Sequence, residues 1–118
     1  MKKLLIIDDN ESILLSLQLI LQEYGYIVDT LPDTIFLKEK ITEFKPTLVI
    51  IDMFLNGENG LDVAKKLKED EEFKTLPILL FSANYSVSKL KQHVAINDFI
   101  QKPFEIEELV QKIESINC

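Results

Sequence analysis

The 118-residue chain contains one cysteine, one histidine, three glycines, four prolines and no tryptophan, and its 20 acidic residues outnumber its 13 basic ones. Each scarcity removes a class of protein. A lone cysteine, Cys118 at the last position, permits neither a disulfide framework nor a cysteine-based zinc site, and it suits a reducing cytosol. The formal net charge of −7 repels a phosphate backbone and no basic run offsets it, so direct nucleic-acid binding is not expected. Met1, Lys2 and Lys3 lead into an apolar stretch too short for a signal peptide and far below the roughly 20 residues that span a bilayer. These absences point to a soluble, cytoplasmic protein with no membrane association. At this length the chain is expected to form one domain, residues 1–118, that buries a core without covalent staples.

What is present is an alternation. Short apolar runs take turns with longer stretches of helical period, the pattern of a parallel sheet covered by helices. Strands are predicted at 4–7, 26–31, 47–51, 77–81 and 97–100. The first, third and fourth are apolar almost throughout, as strands buried on both faces are. The second carries Asp29 and Thr30 and the fifth Asn97 and Asp98, which places these two at the edges. Helical stripes run through Ile13, Leu17, Ile20, Leu21 and Tyr24; Leu37, Ile41 and Phe44; Leu61, Ala64 and Leu67; Val87, Leu90 and Val94; and Ile106, Leu109, Val110, Ile113 and Ile116. Gly25 stops the first helix, Pro32-Asp33 opens the second, Pro46 ends it and Pro103 precedes the fifth. The fifth stripe runs to the chain end, so no output domain is expected among these residues.

The informative feature is what stands where each strand stops. Asp8 and Asp9 follow the first, Asp52 the third, Ser82 the fourth and Lys102 the fifth. In an open parallel sheet these carboxyl ends share one edge, and ligands bind in the crevice there. Taken singly, each aspartate reads as a cap or turn residue, Ser82 as a turn residue and Lys102 as solvated surface. Together, at four separate strand ends, they read as a site. Two unit charges ~4 Å apart interact by about 4 kcal/mol at an effective dielectric of 20, so three gathered carboxylates need a cation. An all-oxygen set with few carboxylates suits Mg²⁺ better than Ca²⁺. Three negative charges, Mg²⁺ and Lys102 sum to zero, which lets the site accept an incoming phosphoryl group. Phosphoryl transfer asks for positioning and charge compensation more than for proton chemistry, and a carboxylate can be the nucleophile.

Over its whole length the sequence resembles the receiver domain of two-component response regulators, the CheY-like superfamily. The matching pieces are Ile6-Ile7-Asp8-Asp9-Asn10, the run Leu48-Val49-Ile50-Ile51 delivering Asp52, Gly60-Leu61, Ser82-Ala83, and Asp98-Phe99-Ile100-Gln101-Lys102-Pro103-Phe104. The resemblance implies an α/β fold: a five-stranded parallel sheet of order 2-1-3-4-5 in a doubly wound, flavodoxin-like three-layer sandwich of five βα units. It also implies a phosphorylation-activated switch in a phosphorelay. Asp52 would take a phosphoryl group from a histidine kinase or histidine phosphotransfer protein. Asp9 would bind Mg²⁺ directly, with Mn²⁺ an acceptable substitute, Asp8 through water, and the Phe54 backbone carbonyl would be a further ligand. Lys102 would pair with the phosphoryl oxygens, its bond to Pro103 being cis. Ser82 would move to hydrogen-bond the phosphoryl group and Phe99 would rotate inward behind it. The face made by the fourth helix, fifth strand and fifth helix would then control an unidentified protein partner, through a monomer or a phosphorylation-dependent dimer. Such a domain is a phosphoacceptor that assists its own phosphotransfer and dephosphorylation, and is not otherwise an enzyme.

Three positions depart from the usual pattern: Asn56 in place of Pro, Ala95-Ile96 in place of Gly-Ala, and Phe99 in place of a frequent Tyr. A loop at Asn56 should be less rigid, and a Phe99 without a hydroxyl should favour the inward state even without phosphate. Leu15 and Leu19 lie opposite the predicted buried stripe of the first helix, either as ordinary exposed leucines or as a kinase-docking patch. His93 reads as a surface histidine, and Glu107-Glu108 as favourable charge in the first turn of the fifth helix. Two rivals remain: a degenerate receiver acting only as an interaction module, and a haloacid-dehalogenase-like phosphatase. The phosphatase needs a second Asp two positions after the nucleophile, where this chain has Phe54. A flavodoxin-like phosphate site is disfavoured by the acidic Asp8-Asp9-Asn10-Glu11.

Phe54 and Asn84 flank the route of a hydrolytic water in this family. An apolar Phe54 cannot orient that water, whereas the Asn84 amide can. The acyl phosphate is therefore expected to have an intermediate lifetime, followed by loss of the phosphorylated mass after donor removal; decay within a few seconds, or persistence for many hours, contradicts this.

Overall fold

The computed structural model describes residues 2–55, 57–82 and 96–116. Five parallel strands form one sheet: β1 (Lys3–Ile7), β2 (Ile27–Leu31), β3 (Leu48–Asp52), β6 (Ile78–Ser82) and β7 (Asp98–Gln101), in the order β2-β1-β3-β6-β7. Counting only these five, the order is the expected 2-1-3-4-5, and the two polar strands stand at the edges. Among the described residues four helices cover the sheet: α1 (Glu11–Glu23), α2 (Leu37–Phe44), α3 (Gly60–Glu69) and α4 (Ile106–Ser115).

Strict alternation along the central strands divides the core in two. Leu5, Ile7, Val49, Ile51, Ile78 and Leu80 point to the face covered by α2 and α3, and pack with Leu37, Ile41, Leu61, Ala64 and Leu67. Leu4, Ile6, Leu48, Ile50, Leu79 and Phe81 point to the other face, covered by α1 and α4, and pack with Leu14, Leu17, Leu21, Leu109 and Ile113. Residues i and i+2 of a strand share a face, so a run apolar at every position must have a helix layer on both sides.

Several local expectations are corrected. The buried face of α1 is Leu14, Leu17 and Leu21; Ile13 only flanks the core, while Ile20 and Tyr24 are 38% and 49% exposed. The second helix does not open at Pro32-Asp33. There the Asp33 carboxylate accepts the Ile35 N–H at 3.0 Å, a side-chain turn that competes with helix, and α2 begins at Leu37. A short antiparallel pair not anticipated from sequence, β4 (Phe54–Leu55) with β5 (Glu58–Asn59), follows β3. Gly57, at φ 72°, lies between its strands. The fourth predicted stripe, Val87, Leu90 and Val94, lies outside the described residues, as do Asn56, Asn84, His93 and Ala95. Gly25 does stop α1: at φ 98° it donates to the Gln22 carbonyl at 3.0 Å.

One glycine fixes how the third helix meets the third strand. Gly60 opens α3 directly against the end of β3, its N–H donating to the Met53 carbonyl at 2.7 Å. A Cβ there would lie 2.2 Å from the Asp52 carbonyl oxygen. Backbone cannot yield as a side-chain tip does, so Gly60→Ala must displace either the helix start or Asp52 itself. Overpacking of this kind costs about 1–3 kcal/mol, and urea unfolding of Gly60→Ala should show a loss in that range; an unchanged midpoint would refute the close-approach role.

Candidate functional site

Parallel register brings the strand ends together. Ile7 pairs with Ile51, Asp52 with Phe81 and Ser82 with Gln101, so Asp8, Asp9, Asp52, Ser82 and Lys102 all emerge on one edge of the sheet. The cap of α1 that Asp8 or Asp9 could have supplied is supplied by Asn10, whose Oδ1 accepts the Ile13 N–H at 3.1 Å, and that of α3 by Asn59. Asp8 serves the turn with one oxygen only: its Oδ1 accepts the Asn10 N–H at 2.9 Å, and its Oδ2 is left for the site.

That site is a desolvated charge cluster. One carboxylate oxygen from each of Asp8, Asp9 and Asp52 lies within 4.8 Å of the others. Asp8 is fully buried and Asp52 is 8% exposed, with Asp9 the most open of the three. The Lys102 ammonium stands between two of them, 3.3 Å from Asp8 Oδ2 and 3.3 Å from Asp52 Oδ2. Burial pushes the Asp52 carboxyl above its ordinary value; Lys102 pulls it back, Asp8 pushes it up further, and the Phe54 N–H, 3.4 Å from Asp52 Oδ1, pulls weakly down. Three carboxylates against one ammonium leave two negative charges, which is the deficit a divalent cation meets. The donor set fits Mg²⁺: hard oxygen ligands from few carboxylates.

Beside this cluster Ser82 is 1% exposed and its Oγ has no hydrogen-bond partner among the described residues. A buried unpaired hydroxyl costs free energy, so its presence at the pocket marks a donor without its acceptor. The Lys102 N–H donates to the Ser82 carbonyl at 2.7 Å, tying the ends of β6 and β7 together, and the Lys102–Pro103 bond is cis.

The remaining predicted residues lie around the pocket or away from it. Phe99 is half-buried against the core on the α2–α3 face, with Lys112 Nζ 5.8 Å from its ring centroid. The Phe54 side chain is 57% exposed. Leu15 and Leu19 are 58% and 55% exposed on the outer side of α1. Glu107 and Glu108 occupy the first turn of α4. Two features of the site were not legible. Gly60 matched the family pattern, but nothing in the sequence tells that it presses on the Asp52 carbonyl. Phe81 reads as one more apolar strand residue, yet its ring centroid lies 5.3 Å from Lys102 Nζ and 5.2 Å from the Phe104 ring.

Comparison with known proteins agrees with this geometry. The model of the response regulator receiver domain family matches residues 4–114. The chain is 30% identical over 116 residues to the two-component response regulator PhoP of Pseudomonas aeruginosa, covering 97% of this chain and 51% of that protein. It is 31% identical over 117 residues to the phosphate regulon transcriptional regulatory protein PhoB of the same organism, covering 98% and 51%. The chain thus spans about half the length of the curated relatives it matches. Among solved structures, a putative response regulator from Chloroflexus aurantiacus is 33% identical, with TM-score 0.85 and coverage of 97% and 95%. The chemotaxis protein CheY4 of Vibrio cholerae is 26% identical, with TM-score 0.89 and coverage of 99% of each chain. A doubly wound sheet with its acidic cluster, hydroxyl and lysine at the carboxyl edge, matched by family model, sequence and fold alike, makes this chain a member of the response regulator receiver domain family.

Proposed function

We propose that this domain is a phosphorylation-activated switch whose phosphoacceptor is Asp52. The observation that carries the reading is the Lys102 ammonium bridging Asp8 and Asp52 beside the unpaired Ser82 hydroxyl. An Asp52 oxygen attacks the phosphorus of a phosphohistidine on a kinase or phosphotransfer protein; the new O–P bond forms as the P–N bond breaks, and the departing imidazole takes a proton. Lys102 compensates charge on the transferred group, and the Ser82 O–H, without a partner among the described residues, finds an acceptor there. Asp8, Asp9, Asp52 and the Phe54 carbonyl would hold Mg²⁺ or Mn²⁺, which supplies Lewis-acid neutralisation of the phosphoryl oxygens. Phe99, in the strand that ends before Lys102, would carry the change to the surface formed by β7 and α4. The output is a protein partner, met by a monomer or by a phosphorylation-dependent dimer, in the cytoplasm. Position 54, where a haloacid-dehalogenase-like phosphatase would need its acid/base aspartate, is an exposed phenylalanine, which argues against that rival.

Incubation with acetyl phosphate and Mg²⁺ should add a single phosphoryl group, about 80 Da by intact mass, that Asp52→Asn abolishes. A folded protein that gains no mass instead indicates an interaction module.

Stability should carry the imprint of the desolvated carboxylate. Because folding raises the Asp52 pKa, the fold favours the protonated form. Below the ordinary value of 3.8 both states are protonated and no penalty exists; the penalty appears as pH rises through the folded value. In metal-free buffer Asp52→Asn should therefore melt a few degrees above wild type at neutral pH, with the gap closing on acidification. A gap that is constant with pH, or negative, refutes this.

A further inference from the structure

We propose that Phe81, backed by Phe104, is a positioning residue for phosphoryl transfer: its ring is the shelf that holds the Lys102 ammonium between Asp8 and Asp52. The inference rests on Asp52 being the phosphoacceptor. Burial alone does not require an aromatic residue at position 81, because any apolar side chain satisfies a central strand covered on both faces. The ring does something a leucine cannot. Its centroid lies 5.3 Å from Lys102 Nζ, within cation–π range, and the Phe104 ring, 5.2 Å away and tilted by 37°, packs beside it.

Lys102 needs such a support. Its stem has four rotatable carbons and its side chain is 24% exposed, so it has freedom to leave the pocket. Its two carboxylate contacts, both 3.3 Å, are long for charge-assisted hydrogen bonds, which lie near 2.7–2.9 Å. They would also change during the reaction, because Asp52 loses its charge on becoming an acyl phosphate and Asp8 would acquire a competing cation. Among the described contacts of the Lys102 ammonium, the face of Phe81 is the one that neither metal binding nor phosphorylation would alter. It attracts the ammonium without competing with phosphoryl oxygens as a carboxylate would, and so keeps the charge in reach of the group being transferred.

The test compares initial phosphorylation rates with acetyl phosphate and Mg²⁺ in a double-mutant cycle of Phe81→Leu and Lys102→Ala, with Phe81→Met as a second, more volume-conserving variant. Removing the ring should slow the reaction about threefold to fivefold when Lys102 is present, and leave the rate unchanged in the Lys102→Ala background. Equal fractional losses in both backgrounds would show general damage to the fold and overturn the proposal, as would undiminished rates in both single Phe81 variants. A second arm needs no turnover. In NMR spectra of the metal-free protein the Lys102 ε-methylene protons should lie upfield of those of other lysines through the ring current, and return to the ordinary position in Phe81→Leu. Absence of that shift in the wild type also overturns the shelf. If the wild type shows the shift and yet takes no phosphoryl group, it is the phosphoacceptor reading that fails, and the two failures are thereby told apart.

Discussion

The ammonium of Lys102 stands between two carboxylates that the fold has taken out of water, and the rest of the site is arranged around that unequal contest. Burying a carboxylate disfavours its charge, and a neighbouring carboxylate disfavours it again; one ammonium, partly solvated, opposes both without cancelling them. A structure selected only for stability would replace such a cluster with apolar side chains of similar volume, a change that is often neutral or favourable. Here the surrounding core, apolar along Leu4–Ile7, Leu48–Ile51 and Ile78–Phe81, is large enough to carry the penalty. Under the proposed function, that residual negative charge is what a cation and a phosphoryl group arriving together would relieve.

A different use of the same two residue types closes the sheet. At the β2 edge, the Asp29 carboxylate accepts the Thr30 N–H at 2.8 Å and is itself held by Lys40 of α2 at 2.9 Å. At the β7 edge, the Asp98 carboxylate accepts the Phe99 N–H at 2.8 Å and is held by Lys112 of α4 at 3.2 Å. In both cases an edge N–H that could template another strand is satisfied by the preceding side chain, and a lysine from a covering helix fixes that side chain in place. Edge strands left open invite edge-to-edge association, and charge at the edge is a common defence. The polar residues that marked these strands as edges in the sequence are thus the ones that seal them.

The architecture was largely legible because it depends on patterns that few alternatives can satisfy. An all-apolar run such as Ile78–Phe81 must be covered on both faces, and polar residues placed just after such runs must share an edge. Local detail was less legible where two readings fit one pattern. In α1, Leu14 and Leu21 compete with Ile13, Ile20 and Tyr24 for the inward face, Leu17 belonging to either set; periodicity alone admits both, and contact with the sheet selects the first. Pro32-Asp33 carries the composition of a helix start, but the Asp33 carboxylate spends itself on the Ile35 N–H. The site's named side chains were visible as strand-end residues, whereas the roles of Gly60 and Phe81 depend on distances to chain segments far away in sequence. Identity at one position carries no trace of such a distance.

Those distances also bear on how the proposed switch would reach the surface. β7 begins with the clasped Asp98, contains Phe99, and ends one residue before Lys102, all within five consecutive positions. The strand is fastened to β6 in continuous register from Leu79–Asp98 to Ser82–Gln101, and the Lys102 N–H extends that fastening to the Ser82 carbonyl. A backbone pinned so closely cannot slide by fractions of a residue, because packed cores have discrete arrangements and do not deform continuously. Under the proposed switch, a signal from Ser82 and Lys102 would then travel by side-chain rearrangement. The side chain best placed to rearrange is Phe99, half-buried, opposite Leu80 in the ladder, and held from outside by an ammonium that also binds Asp98. The charge that seals the sheet edge and the ring that faces the core are therefore coupled through one residue, Lys112, on the helix that borders the proposed output surface.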